Sequence, residues 1–310
     1  MGDSRINLRK RARRYFIRAT KWLVGSIYLL IGAPGCKSKL VAFVFHEISN
    51  SPREHPRLTD TYSSEKTFIK QIQILKNNFR IVDPRELTSG ENPNGCLITF
   101  DDGYEGSLSA ARFLEKDGIS SLHFVNLDTI HGALNSSATI QSLSLRLSEN
   151  VRWTDSNPKT FGSLTSTLTQ IQFDELSSFS GPYLTVNQLN ELMLMKKTLI
   201  GDHFLNHWHG DSLNSDEIIE NLAINSNNYI EKLGMEPFFA APHGKMDIRK
   251  LELIANQGYG VIFSGGSWMR LSNAAVLPRI DMNNSMRTKA SIFGAIAILL
   301  IRNIREAKNL

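Results

Sequence analysis

The chain has 310 residues, 41% of them hydrophobic and 9% aromatic, which is enough to bury a full core and too apolar for a disordered chain. Its formal charge of +5 is uneven: residues 1–21 hold eight Lys/Arg against Asp3, residues 287–310 hold five against Glu306, and residues 22–286 carry −6. This distribution excludes a nucleic-acid-binding core, whose cations would line a groove of the folded body, and makes an anionic membrane surface the expected partner of the two ends.

In chain order, Arg11, Arg14, Arg18 and Lys21 recur at spacings of three and four, with Tyr15, Phe16, Ala19, Trp22 and Leu23 on the other side. An apolar run, 22–33, follows. The pattern predicts a basic amphipathic helix passing into an apolar one over residues 1–38. A second apolar run, 290–301, predicts a C-terminal helix within 285–310, either buried or membrane-facing. Each run makes roughly 18 Å of helix against a hydrocarbon core of roughly 30 Å, so neither should span alone. Attachment to the cytoplasmic face of a membrane is the expectation. The alternative is an exported, membrane-anchored protein, since an export signal shares the basic head and apolar core, although IGAPGCKSK offers no clean cleavage site. Cys36 and Cys96 do not make a disulfide framework.

Residues 39–284 read as one α/β domain. LVAFVFH (40–46) is an unbroken apolar run of the kind a strand buried on both faces shows. A helix over 64–78 follows, with Ser64 as its cap and Phe68, Ile69, Ile72 and Leu75 at helical spacing, and then FRIV (79–82) as a short strand. CLITF (96–100) predicts a strand, 107–118 a helix closed by Gly118, and 119–126 a strand. A polar Ser/Thr/Asn-rich stretch, about 135–181, reads as an insertion with weak helices. The alternation then resumes: helix 185–197, strand 198–202, helix 215–234, strand 238–241, helix 247–259, strand 260–265 and strand 276–282. Such alternation implies a parallel sheet with helical crossovers and a site at the C-terminal strand ends.

Two of those ends carry chemistry. Asp101 and Asp102 follow CLITF, and His203 and His207 follow TLIGD at a spacing that puts both imidazoles on one face of a helical turn. Adjacent carboxylates and a histidine pair suit a catalytic divalent metal with one oxygen and two nitrogen ligands. The cation neutralises one aspartate and leaves the other free to take a proton from water. Of the other candidates, His123 reads as a core histidine, His209 as either a neighbour of the site or exposed, and Trp208 and Trp268 as either packing or sugar-stacking residues.

With these motifs in view, residues 40–282 resemble the polysaccharide deacetylases of carbohydrate esterase family four, the NodB-homology domain. The family's T-F-D-D-G motif stands as Thr99, Phe100, Asp101, Asp102 and Gly103, and its H-x-x-x-H as His203 and His207. The resemblance implies a distorted (β/α) barrel flanked by the two terminal helices. It implies Asp101 as general base, and Asp102, His203 and His207 as ligands of zinc or another divalent ion. The implied substrate is an N-acetylated amino sugar in a glycan. The stretches 183–203 and 238–247 look most like the exopolysaccharide branch. The family's third motif, Arg-x-Pro-Tyr, is here Ala240, Ala241, Pro242 and His243. Arg279 of LPRID is therefore expected to orient Asp101 in place of the missing arginine, and the His243 backbone N–H to help bind the oxyanion. The late L-x-H motif is absent. In the exopolysaccharide branch an early strand supplies the acid instead, which points to His46 of FVFHEI. The altered motif leaves open a carbohydrate-binding homologue with impaired turnover.

Overall fold

The computed structural model describes residues 2–35, 39–89, 93–147, 153–225, 237–244 and 246–307. Helix α1 (Gly2–Leu30) leads to β1 (Leu40–Phe45) and β2 (Glu47–Ile48), then α2 (Glu54–Thr59), β3 (Tyr62–Ser63), α3 (Glu65–Asn78) and β4 (Gly95–Phe100). Next come α4 (Gly106–Lys116), β5 (Ser121–Val125) and the short α5 (Leu127–Ile130). The expected insertion is helical, with α6 (Ser136–Leu147), α7 (Pro158–Thr165) and α8 (Gln170–Ser180). The series continues with α9 (Val186–Leu194), β6 (Thr198–Asp202), α10 (Ser215–Asn225), β7 (Phe238–Ala240), α11 (Ile248–Asn256) and β8 (Val261–Phe263). It closes with β9 (Met269–Arg270), β10 (Ala275–Leu277), β11 (Arg279–Asp281) and α12 (Lys289–Ala307). The part of the expected 215–234 helix beyond residue 225 lies outside the described residues.

The main sheet runs β11-β1-β4-β5-β6-β7-β8-β10-β9, parallel except for β9 against β10. The expected single strand 276–282 is two strands, because Pro278 has no N–H to give a ladder. Before the proline the chain pairs with β8, and after it with β1. One short run thus touches both ends of the series, rolling the sheet into a distorted, incompletely closed (β/α) barrel. FRIV does not form a strand; only Ile81 bridges, to Cys96.

Side chains alternate along these strands. Ala42, Leu97, Leu122, Phe124, Phe238 and Phe263 fill the barrel, while Val41, Phe43, Phe45, Ile98 and Phe100 face the helices around it. Burial on both faces explains why the strands read as unbroken apolar runs. Helix α3 starts on Ser64, whose hydroxyl accepts from the Thr67 N–H, and buries Phe68, Ile72 and Leu75. The Phe68 ring meets Phe45 edge-on at 5.1 Å.

Helices α1 and α12 lie antiparallel against each other at a pair of glycines. A Cβ on Gly25 would fall 1.7 Å from the Ala290 carbonyl oxygen, and one on Gly294 1.7 Å from that of Lys21. Only glycine permits this approach. On its other side α12 buries Ile292, Phe293 and Ile296 in the outer core, so both termini clasp the barrel.

Candidate active site

Strand register builds the site. Phe45 pairs with Phe100, so His46 and Asp101 emerge side by side at the C-terminal ends of β1 and β4, where the Asp101 N–H donates to the Phe45 carbonyl at 2.9 Å. The next residue, Asp102, adopts φ 70°, which turns the chain sharply and aims successive carboxylates in different directions. The Thr99 hydroxyl donates to the Phe43 carbonyl, a role within the sheet.

The histidine pair is not on a helical turn, contrary to the spacing argument. Residues 203–209 form an irregular loop in which Phe204 and His207 have φ 58° and 50°. The loop is pinned by groups with no sequence signature. Asp202 accepts from the Phe204 N–H, Asn225 and the Tyr259 hydroxyl at 2.8, 2.8 and 2.6 Å. Asn126 donates to the His203 and Phe204 carbonyls, and Ser136 to those of Asn206 and His207. Burial without these bonds would leave several polar groups unpaired.

The result is convergence. Asp102 Oδ1 lies 3.3 Å from His203 Nε2 and 3.0 Å from His207 Nε2, and one ligand atom from each of the three residues falls within 4.8 Å of the others. The His203 Nδ1–H donates to the Ala240 carbonyl at 2.8 Å, which leaves the Nε2 lone pair facing Asp102. Asp102 Oδ1 and His203 Nε2 are both buried with no hydrogen bond of acceptable geometry. Two orphaned ligand-type atoms facing each other in a buried Asp/His/His cluster fit a divalent cation. Electrostatics agree. Burial pushes the Asp102 carboxyl up, but His207 and His203 more than reverse this and hold it well below the usual carboxylate range. Burial likewise pulls His203 down, and Asp101 and Asp102 raise it above the ordinary histidine value. The field that draws a proton there would equally draw a cation.

Asp101 faces Arg279, which donates from both terminal nitrogens to both carboxylate oxygens at 2.6 Å. Arg279 starts level with Ala42, deep in the barrel, and its guanidinium reaches up beside the Phe124 and Phe263 rings, 5.5 and 5.8 Å from their centroids. Burial raises Asp101, Arg279 and His203 lower it, and the balance lies below the ordinary value. His243 sits at φ 60° in the turn after β7, its ring centroid 4.5 Å from that of His207.

A cavity of about 420 Å³ opens over these groups, lined by His46, Asp101, Asp102, His207, His243 and Arg279. The seven residues expected to bind the metal or act in catalysis therefore meet at one place, His203 through its contact with Asp102. His55, which carries no motif, also lines the cavity; its Nδ1 lies 3.3 Å from the Tyr104 hydroxyl, and burial pulls its pKa down to about 4. His209 is buried against His243, and His123 is a core residue stacked on Phe100 at 4.4 Å. Trp208 packs on Phe161, and Trp268 donates to the Leu40 carbonyl at the opposite end of β1, so neither lines the cavity.

Solved structures with a similar fold include IcaB from Ammonifex degensii, at 19% identity and TM-score 0.55, covering 83% of this chain and 97% of that one. The Streptococcus pyogenes deacetylase PplD in complex with acetate gives 17%, 0.55, 83% and 97%. A de-N-acetylase from Aggregatibacter actinomycetemcomitans gives 12%, 0.57, 83% and 99%. No family model and no curated protein sequence matches the chain. The fold is that of the NodB-homology polysaccharide deacetylases, with flanking terminal helices, and it carries a buried Asp/His/His metal-ligand triad. No single branch of those deacetylases is favoured over the others.

Proposed function

We propose that the protein is a metal-dependent hydrolase of the carbohydrate esterase family four kind, removing an N-acetyl or related N-acyl group from an amino sugar in a membrane-proximal or lipid-linked glycan. The observation that carries this reading is the pairing of an arginine-gripped carboxylate, Asp101, with the adjacent Asp102/His203/His207 triad at one cavity. The presence of deacetylases among the proteins of similar fold supports it.

Asp102, His203 and His207 would hold the ion, and the two-nitrogen, one-oxygen donor set suits zinc. When bound, a divalent ion supplies Lewis acidity, polarising the acyl carbonyl and acidifying water. Asp101, kept ionised and oriented by Arg279, takes a proton from the attacking water. The His243 backbone N–H, in the turn beside His207, is the donor for the oxyanion. His46 stands next to Asp101 on the neighbouring strand end and gives its proton to the departing nitrogen, leaving acetate and a free amine.

Acetate release from N-acetylated glucosamine oligosaccharides, with metal content measured in parallel, tests this. Wild type should bind one divalent ion and release acetate, and Asp101→Asn should bind the ion without release. A protein that holds no divalent ion, or whose acetate release survives Asp101→Asn, overturns the reading. A wild type that binds oligosaccharide and metal with no release points to a carbohydrate-binding homologue.

A further inference from the structure

Helix α1 is amphipathic the wrong way round for a surface helix of a water-soluble body. Two of its cations face the protein: Arg18 pairs with Asp60 at 3.0 Å, and Arg14 donates to the Leu58 carbonyl. Its apolar side faces outward. Phe16, Leu23, Ile27 and Leu30, which recur on one helical face, are 73, 56, 52 and 85% exposed. Trp22 and Tyr15 flank that stripe, also exposed. Helix α12, locked to α1 at Gly25 and Gly294, adds exposed Ile301 and Ile304. An exposed apolar stripe this long on α1 calls for an occupant.

Charge selects the occupant. Residues 1–21 hold eight cationic side chains and one acid, and no Asp or Glu occurs from residue 4 to residue 46. Arg13 and Arg305 are exposed, while Arg302 pairs with Glu306 at 2.8 Å. A second copy would bring a like-charged surface onto this one, whereas an anionic bilayer complements it and offers an interface suited to Trp and Tyr. Among the described residues no helix is long and apolar enough to cross a membrane. We propose that α1 and α12 form one rigid platform that lies in the plane of an anionic lipid bilayer, its apolar stripe sunk below the headgroups.

The platform is joined to the candidate site. Leu299 and Arg302 of α12 line the 420 Å³ cavity, so a bilayer seated on the helices lies beside the cavity mouth. Docking itself rests on no catalytic reading.

The test is sedimentation of the full-length chain with vesicles of phosphatidylcholine alone or mixed with phosphatidylglycerol. Wild type should pellet with the mixed vesicles, and much less with phosphatidylcholine or in high salt. The variant Phe16→Ser/Leu23→Ser/Ile27→Ser, altered only at exposed positions, should bind at least about tenfold more weakly with an unchanged melting profile. As a second readout, mixed vesicles should shift wild-type tryptophan emission to the blue, and the shift should vanish in Trp22→Phe. A wild type that stays in the supernatant, a triple variant that pellets equally, or an unshifted Trp22 signal overturns the proposal. So does a wild-type dimer in solution that the triple variant converts to monomer without any vesicle binding, because the face then belongs to a second copy.

Discussion

Arg279 and Asp101, 178 positions apart, meet in a two-point contact in which each guanidinium nitrogen is 2.6 Å from its own carboxylate oxygen. The side chains are only 7 and 5% exposed, so this is a desolvated pair with fixed geometry. Losing either partner leaves an uncompensated buried charge.

Arg279→Ala should therefore cost about 3–5 kcal/mol in urea unfolding and lower turnover at least about a hundredfold, because the Asp101 carboxyl, relieved of its cation, rises towards protonation. Arg279→Lys keeps the charge but not the fork and should fall in between. Unchanged turnover in Arg279→Ala would remove its orienting role.

Zinc should raise the melting temperature of the wild type, since an ion that binds only the folded site stabilises by about 2.7 kcal/mol at a hundredfold excess over Kd. Asp102→Ala and His207→Ala should abolish the shift, and a strong chelator should reverse it. An equal shift in both variants would place the ion elsewhere.

His46 and Asp101 should separate by leaving group. His46→Ala should retain the metal and lose about a hundredfold or more on an N-acetyl sugar, yet remain active on an aryl acetate, whose phenolate departs without a proton. Asp101→Asn should be slow on both. Comparable losses on the two substrates in His46→Ala would argue against the acid role.

Glu47 gives a stability signature away from the ligands. Burial, with Glu105 adding to it, raises its pKa from 4.5 to about 7, and its Oε2 has no hydrogen-bond partner. A carboxyl with a raised folded value binds its proton more tightly folded than unfolded, so stability falls as pH climbs from 4.5 to about 7 and the penalty is complete above that. Glu47→Gln should be more stable than wild type at pH 8, by about 3 kcal/mol, with the difference vanishing towards pH 4. Melts at the two pH values check this.

Gly294→Ala should open the helix clasp, because its Cβ would meet the Lys21 carbonyl oxygen at 1.7 Å. Overpacking of this kind costs about 1–3 kcal/mol. Proteolysis should cut within residues 1–35 faster than in wild type, while the zinc-induced shift persists because the barrel is untouched.

Much of this architecture was legible along the chain. LVAFVF and GCLITF announce themselves as strands because burial on both faces demands unbroken apolar runs, and Ser64 marks the start of α3 because its hydroxyl caps it. Asp101 and Asp102 stand out because a strand end is where a parallel sheet delivers side chains to one rim. Other features had no local signal. His55 lies on a six-residue helix with no motif, and Asp202, Asn126 and Ser136 hold the histidine loop through bonds between distant segments. The histidines' spacing of four suggested a helical turn, but positive φ at Phe204 and His207, stabilised by those same bonds, overrode it.

The amino-acid order by itself determined the alternating strands and helices, the paired acids at one strand end, the two histidines at another and the basic, apolar character of the termini. These depend on local burial and on neighbours within a turn or two. Only the tertiary structure decided that Arg279, the expected partner of Asp101, grips both of its carboxylate oxygens, that both termini meet at Gly25 and Gly294, and that α1 turns its apolar side outward. The first outcome depends on strand register and on the change of partner at Pro278, the other two on the packing of α1 against α12, and long-range contacts of both kinds settle what no short stretch of sequence encodes.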